Sequence, residues 1–83
     1  MKQYIATFFS HFGAVRFQRL CAERGYEAQL APVPRRLSSS CGTCVLFSAP
    51  ELNVNTLQQL LTPELEQLVL DENGYQLLYE AEE

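Results

Sequence analysis

Gln3-Tyr4-Ile5-Ala6-Thr7-Phe8-Phe9-Ser10 opens the chain and sets the reading of everything after it. Aromatic and β-branched residues fill Gln3 to Phe9, which reads as a first strand. Ser10 then offers an oxygen for the free N–H groups of a helix start. From Phe12 onward Val15, Phe17, Leu20 and Cys21 recur at helical spacing, with Arg16, Gln18, Arg19 and Glu23 between them. Gly25 directly after Arg24 supplies a stop. A strand followed by a helix over roughly His11 to Arg24 is therefore expected. The same opening, Met1-Lys2 and then an apolar run, superficially resembles an export signal. It is short, Thr7 interrupts it, and no convincing cleavage site follows, so a core strand is the better reading.

The following segments extend this pattern. Glu27-Ala28-Gln29-Leu30-Ala31-Pro32-Val33 alternates polar and apolar residues, as a second strand would. Pro32 and Pro34 cannot donate to a ladder, so that strand belongs at an edge or ends there. Arg35 to Gly42 is a polar connection. Thr43 to Ser48 is nearly all apolar and reads as a third, central strand that Pro50 breaks. Leu57, Leu60, Leu61, Leu65 and Leu68 sustain a helical period, with Asn53 or Asn55 as cap and a kink or fresh start at Thr62-Pro63. Asn73-Gly74 signals a turn. Tyr75 to Glu80 reads as a fourth strand, with Leu77 and Tyr79 on one face and Leu78 on the other. Glu80, Glu82 and Glu83 solvate the tail.

The resulting order, β-α-β-β-α-β, predicts an α+β fold of the ferredoxin-like kind. Two right-handed split βαβ units then pack two helices on one face of an antiparallel sheet. In that topology the connection between strands two and three lies at the same end as the start of helix one. Ser10 and His11 should therefore stand near Cys41 and Cys44.

With 83 residues there is room for one domain, spanning 1–83, and one core. A domain of this size buries only roughly 60% of the surface its unfolded chain exposes. An apolar fraction of 47% is nonetheless ordinary for a globular chain. A deep enzymatic cleft is hard to build from so few elements, which favours an accessory protein over an enzyme. The net charge is −4, unevenly spread. All six basic residues lie within the first 36 positions, against only Glu23 and Glu27 there. The other eight acids follow with no Lys or Arg among them. An acidic chain without a basic run is a poor match for a phosphate backbone, so nucleic acid is not an expected partner. No apolar stretch approaches the roughly 20 residues that span a bilayer. Three cysteines, an odd number, suit thiols in a reducing cytoplasm rather than a disulfide framework.

The chemistry concentrates in Ser38-Ser39-Ser40-Cys41-Gly42-Thr43-Cys44. Cys41 and Cys44 form a CxxC pair, a spacing that permits a small disulfide ring, a shared metal, or a resolving thiol beside a reactive one. Here the pair opens a strand, whereas thioredoxin-like enzymes carry it at a helix start. Residues three apart on a strand face opposite sides, so the two sulfurs need not meet. Cys44, beside Val45, Leu46 and Phe47, also reads as a small core residue. Cys41 has no apolar sequence neighbours and is the stronger candidate nucleophile. Ser39, Ser40 and Gly42 permit a nest of backbone N–H groups around an anionic sulfur. Arg35 and Arg36 either add positive charge or are solvated. His11 is either an acid/base group touching the site or a surface residue. Cys21 falls on the apolar stripe of helix one and reads as core. Three cysteines and one histidine are a thin inventory for a four-ligand metal site within one chain. No metal or cofactor is therefore expected, and a metal shared between chains stays open.

At these residues the sequence resembles the small bacterial selenium/sulfur carrier-like proteins. The resemblance runs through Tyr4-Ile5-Ala6-Thr7-Phe8, Leu30-Ala31-Pro32-Val33-Pro34-Arg35, Leu37-Ser38-Ser39-Ser40-Cys41-Gly42 and the final Tyr79-Glu80. It implies a carrier in which Cys41 holds sulfur or selenium as a persulfide-type adduct. A partner, such as a cysteine desulfurase or an acceptor protein, exchanges the cargo. The alternatives are a dithiol/disulfide protein using Cys41 and Cys44, and an interaction module that pairs an exposed strand edge with a partner or with itself as a homo-oligomer.

Overall fold

Tyr4, Ile5, Ala6, Thr7 and Phe8 are all buried, so the first strand has both faces covered and needs a neighbour on each side. The computed structural model describes residues 1–82 and puts this strand, β1 (Lys2–Phe8), at the centre of the sheet. It pairs antiparallel with β3 (Thr43–Ala49) on one side and with β4 (Leu65–Asp71) on the other. β2 (Glu27–Pro32) lies outside β3 as the edge strand its prolines predict. β5 (Tyr75–Glu80) lies outside β4, giving the order β2-β3-β1-β4-β5.

α1 (His11–Glu23) begins at the expected cap, where Ser10 Oγ accepts from the Gly13 N–H at 3.1 Å. Gly25, at φ +79°, follows its end. α2 (Val54–Leu60) is capped by Asn53, whose Oδ1 accepts from the Thr56 N–H at 2.8 Å. Both helices feed one apolar cluster. Ala14, Phe17 and Cys21 from α1 and Leu60 from α2 pack on Tyr4, Ala6, Phe8, Val45, Phe47, Ala49, Leu65 and Leu68. Phe17 sits between Phe8 and Phe47, with ring centroids 5.2 and 5.5 Å away. Among the described residues no helix covers the opposite face of the sheet. Ile5, Cys44 and Val69 are buried there beneath Ala31, Val33, Leu37 and Leu46.

The four-strand βαββαβ order is not what the chain adopts. The described residues form five antiparallel strands and two helices, because α2 stops at Leu60 and Leu65, Leu68 and Leu70 belong to β4. A β-bulge accounts for the difference. Thr7 pairs with Gln67 but Phe8 pairs with Leu65, so Glu66 is the extra residue. The bulge sends Leu65 and Leu68, three positions apart, to the same face, and three-residue spacing in sequence imitates a helix. Tyr75–Glu80 is thus the fifth strand, joined to β4 through the expected turn at Asn73 (φ +56°) and Gly74 (φ +115°).

A second irregularity alters the faces of β5. Leu68 pairs with Tyr79 and Val69 with Leu77, skipping Leu78. Leu78 and Tyr79 both pack toward the helices, while Leu77 faces Val69 and is half exposed. The expected sharing of a face by Leu77 and Tyr79 is therefore corrected. Of the acidic tail, Glu83 lies outside the described residues. Among those residues no helix is long and apolar enough to cross a membrane.

Candidate functional site

Between β2 and β3 the chain leaves the sheet edge and returns to it. The Val33 N–H donates to the Gly42 carbonyl at 3.2 Å and closes residues 33–42 into a loop at its base. The loop starts with a turn in which the Leu37 N–H donates to the Pro34 carbonyl at 3.0 Å. Val33 and Leu37 then lie on the helix-free face against Ile5, Cys44 and Val69. Further along, the serines pin the loop across the end of the sheet. Ser39 Oγ donates to the carbonyl of Phe8, the last residue of β1, at 3.1 Å. Ser40 gives its N–H to Glu66 Oε1 at 3.1 Å and its hydroxyl to Oε2 at 2.9 Å. Gly42 turns the chain into β3 at φ +76°, a conformation a side chain would strain.

Cys41 sits within this framework, half-buried against the helix-side cluster. Its N–H donates to Ser39 Oγ at 3.4 Å, and the same oxygen lies 3.9 Å from its sulfur. The thiol donates to the Thr43 carbonyl at 3.4 Å. Thr43 Oγ1 is in turn 3.3 Å from His11 Nδ1. The start of α1 and the cysteine loop therefore share one end of the molecule, and His11, although exposed, reaches the site through Thr43.

The other two thiols are differently placed. Cys44 is fully buried in β3, opposite Thr7, and donates to the Pro32 carbonyl at 3.6 Å. It belongs to the helix-free side, whereas Cys41 packs toward the helices. The two sulfurs thus lie against clusters on opposite faces of the sheet. Burial raises the pKa of the Cys44 thiol, with a smaller contribution in the same direction from Cys41. Cys21 is buried in α1, and desolvation pushes its pKa up to about 12 against a weaker pull from Arg24. All three cysteines are free.

Of the residues singled out in the sequence, Cys41, Ser39, Ser40, Gly42 and His11 meet at this end. Arg35 and Arg36 lie in the exposed turn. Among the described residues neither makes an ion pair with a carboxylate. Two N–H groups of the loop are already engaged, that of Ser40 by Glu66 and that of Cys41 by Ser39 Oγ. Glu66 is the residue that sequence reasoning missed. Its segment read as helix, and only the pairing of β4 with β1 brings it to a loop 26 positions away. Among the described residues no three His, Cys, Asp or Glu side chains are grouped so as to hold a metal ion.

Comparison with known proteins bears on the same stretch. A family model described as Putative Se/S carrier protein-like matches residues 3–68, from β1 into β4 and through the whole cysteine loop. The chain belongs to that family. No curated protein and no solved structure matches it.

Proposed function

We propose that, as a member of the selenium/sulfur carrier-like family, this chain carries sulfur or selenium on Cys41 as a persulfide-type adduct and hands it to a partner protein. The observation that carries this reading is exposure. Of three thiols, Cys21 and Cys44 are sealed in apolar packing, and Cys41 alone reaches the surface, on a loop anchored at both ends. A sulfur atom is acquired when the Cys41 thiolate attacks the outer sulfur of a donor persulfide. The donor's S–S bond breaks, its thiolate leaves with the electron pair, and Cys41 becomes the persulfide. Delivery is the same exchange with the acceptor as attacking thiolate.

Ser39, through its hydroxyl, and Thr43, through its carbonyl, are the groups touching the sulfur in this scheme. Gly42 supplies the turn that presents it. His11 is a proton-handling group one contact further out. Arg35, on the outer turn, faces the docked donor or acceptor. Such chemistry needs a reducing compartment in which free thiols persist.

The test is mass spectrometry after incubation with a cysteine desulfurase and cysteine. One additional sulfur atom, labile to reductant, is expected on wild type and on Cys44→Ser, and none on Cys41→Ser. No labile adduct on wild type, or an equal adduct on Cys41→Ser, would remove the carrier reading.

A further inference from the structure

Glu66 is committed to the residue immediately before Cys41, with one carboxylate oxygen on the Ser40 N–H and the other on its hydroxyl. The bulge leaves Glu66 without a partner residue on β1, while its carbonyl still accepts from the Ala81 N–H at 2.9 Å and its side chain reaches the loop. A shallow depression runs beside the loop, lined by Phe9, Ser38, Glu66, Gln67, Glu80 and Ala81. A second carboxylate, Glu80, borders the same depression and accepts from Gln67 Nε2 at 2.8 Å. The charged and titratable groups tied to the Cys41 loop are Glu66 from β4 through Ser40, His11 from α1 through Thr43, the buried Cys44 thiol of β3, and the loop's own exposed Arg35 and Arg36. Glu64, also near the start of α1, is engaged by Arg16 at 3.6 Å. Of these charges Glu66 is the one that hydrogen bonds fix on the residue next to Cys41, whereas Arg35 and Arg36 lie in the exposed turn six and five positions before it.

Resting on the carrier reading above, we propose that Glu66 is a specificity-determining residue for Cys41: its carboxylate turns away small anionic sulfur donors and leaves a protein-bound persulfide as the donor. With thiosulfate the reaction excluded is attack of the Cys41 thiolate on the sulfane sulfur. The S–S bond breaks, sulfite leaves with the electron pair, and the persulfide anion forms on Cys41. Total charge is unchanged, but two anions must first approach one another beside a carboxylate, and like charges a few ångströms apart repel even near a protein surface. A protein donor brings its sulfur with a surface that can carry its own cations, so the same carboxylate does not exclude it. Ser40 holds Glu66 in place, which makes the charge a fixed feature of the residue beside Cys41.

Two alkylating reagents of similar size and different charge, iodoacetate and iodoacetamide, separate this role from simple loop anchoring. Rates at Cys41 are measured by peptide mass on the full chain at low salt, for wild type, Glu66→Gln and Glu66→Asp. Glutamine keeps an oxygen acceptor for Ser40 and loses the charge. The iodoacetate-to-iodoacetamide rate ratio is expected to rise about threefold to tenfold in Glu66→Gln, to fall back toward wild type in about 1 M salt, and to stay near wild type in Glu66→Asp. Loading from thiosulfate should rise in Glu66→Gln in parallel with that ratio. Equal acceleration of both reagents would show a loosened loop and overturn the proposal, as would an unchanged ratio at low salt. The ratio needs no sulfur donor. Its failure is therefore distinct from failure of desulfurase loading, which would remove the carrier reading itself.

Discussion

Thr7 is completely buried in the central strand, and its hydroxyl finds no hydrogen-bond partner among the described residues. An unpartnered buried hydroxyl costs stability, so replacing it by a methyl of the same shape should help. Thr7→Val is expected to gain about 1 kcal/mol in urea unfolding; a loss of the same size would show that the hydroxyl is satisfied after all. Gly13 presents the opposite case. A Cβ there would fall on the Cβ of Glu64 and 3.0 Å from its Cγ. The Phe9 N–H holds the Glu64 carbonyl at 3.0 Å, so the two segments cannot easily part. Gly13→Ala should therefore lose about 1–3 kcal/mol by overpacking, set against a helix-propensity gain of at most about 1 kcal/mol. Neither residue announces itself in sequence. Thr7 reads as an ordinary strand threonine and Gly13 as a weak point in a helix, because the atoms that decide their roles belong to β3 and to the approach of β4.

Among the elements, β1, α1, β2 and β3 were legible because each keeps one period and is closed by its own local signals: Ser10 and Gly25 for α1, Pro32 for β2, Pro50 beyond β3. β4 was not legible, since a bulge at Glu66 replaces alternation with a spacing of three, and a fresh helix start at Pro63 suited the same residues. The site divides along the same line. Cys41 and its loop could be read directly, and the topology gave His11 as a neighbour. The carboxylate that grips Ser40 depends on strand pairing, and no local signal encodes it. The loop's stability rests on few bonds, of which Ser39 Oγ makes two: it donates to the Phe8 carbonyl and accepts from the Cys41 N–H. Ser39→Ala is expected to lower the local opening free energy of residues 39–42 by about 1 kcal/mol. Hydrogen exchange would register this as faster exchange in the loop, with β3 amides unchanged. Equal acceleration across β3 would mean that the serine supports the whole sheet instead.

At the scale of the molecule, the sheet order separates the charge that the sequence left in two halves. The basic residues of α1 and of the turn after β2 stand toward one edge. The acids of β4, the following turn and β5 stand toward the other. Among the described residues two basic ones meet acids directly: Arg16 pairs with Glu64 at 3.6 Å, and Lys2 is tied to Glu72 at 2.9 Å and Glu51 at 3.3 Å. The exposed pairs with Glu72 and Glu51 hold the Lys2 pKa above 10.5, so their small contribution is lost only as pH rises beyond that. The larger alkaline effect comes from the core. Burial raises the Cys21 pKa from 9.0 to about 12, and raises those of Cys44 and Tyr4 as well. Between pH 9.0 and about 12 the unfolded Cys21 thiol releases a proton that the folded chain retains. Stability is therefore full below the lower value and falls as pH rises through the interval. Cys21 alone contributes a slope of about 1.4 kcal/mol per pH unit, and Cys44 steepens it. Urea unfolding at closely spaced pH values between 8 and 11 should show this decline, and Cys21→Ala should flatten it. The cavity left by that substitution lowers stability at every pH, so the slopes carry the comparison, not the absolute values. An unaltered slope in Cys21→Ala would mean that the thiol ionises in place, and that the apolar packing which leaves Cys41 as the reactive sulfur is less tight than its burial indicates.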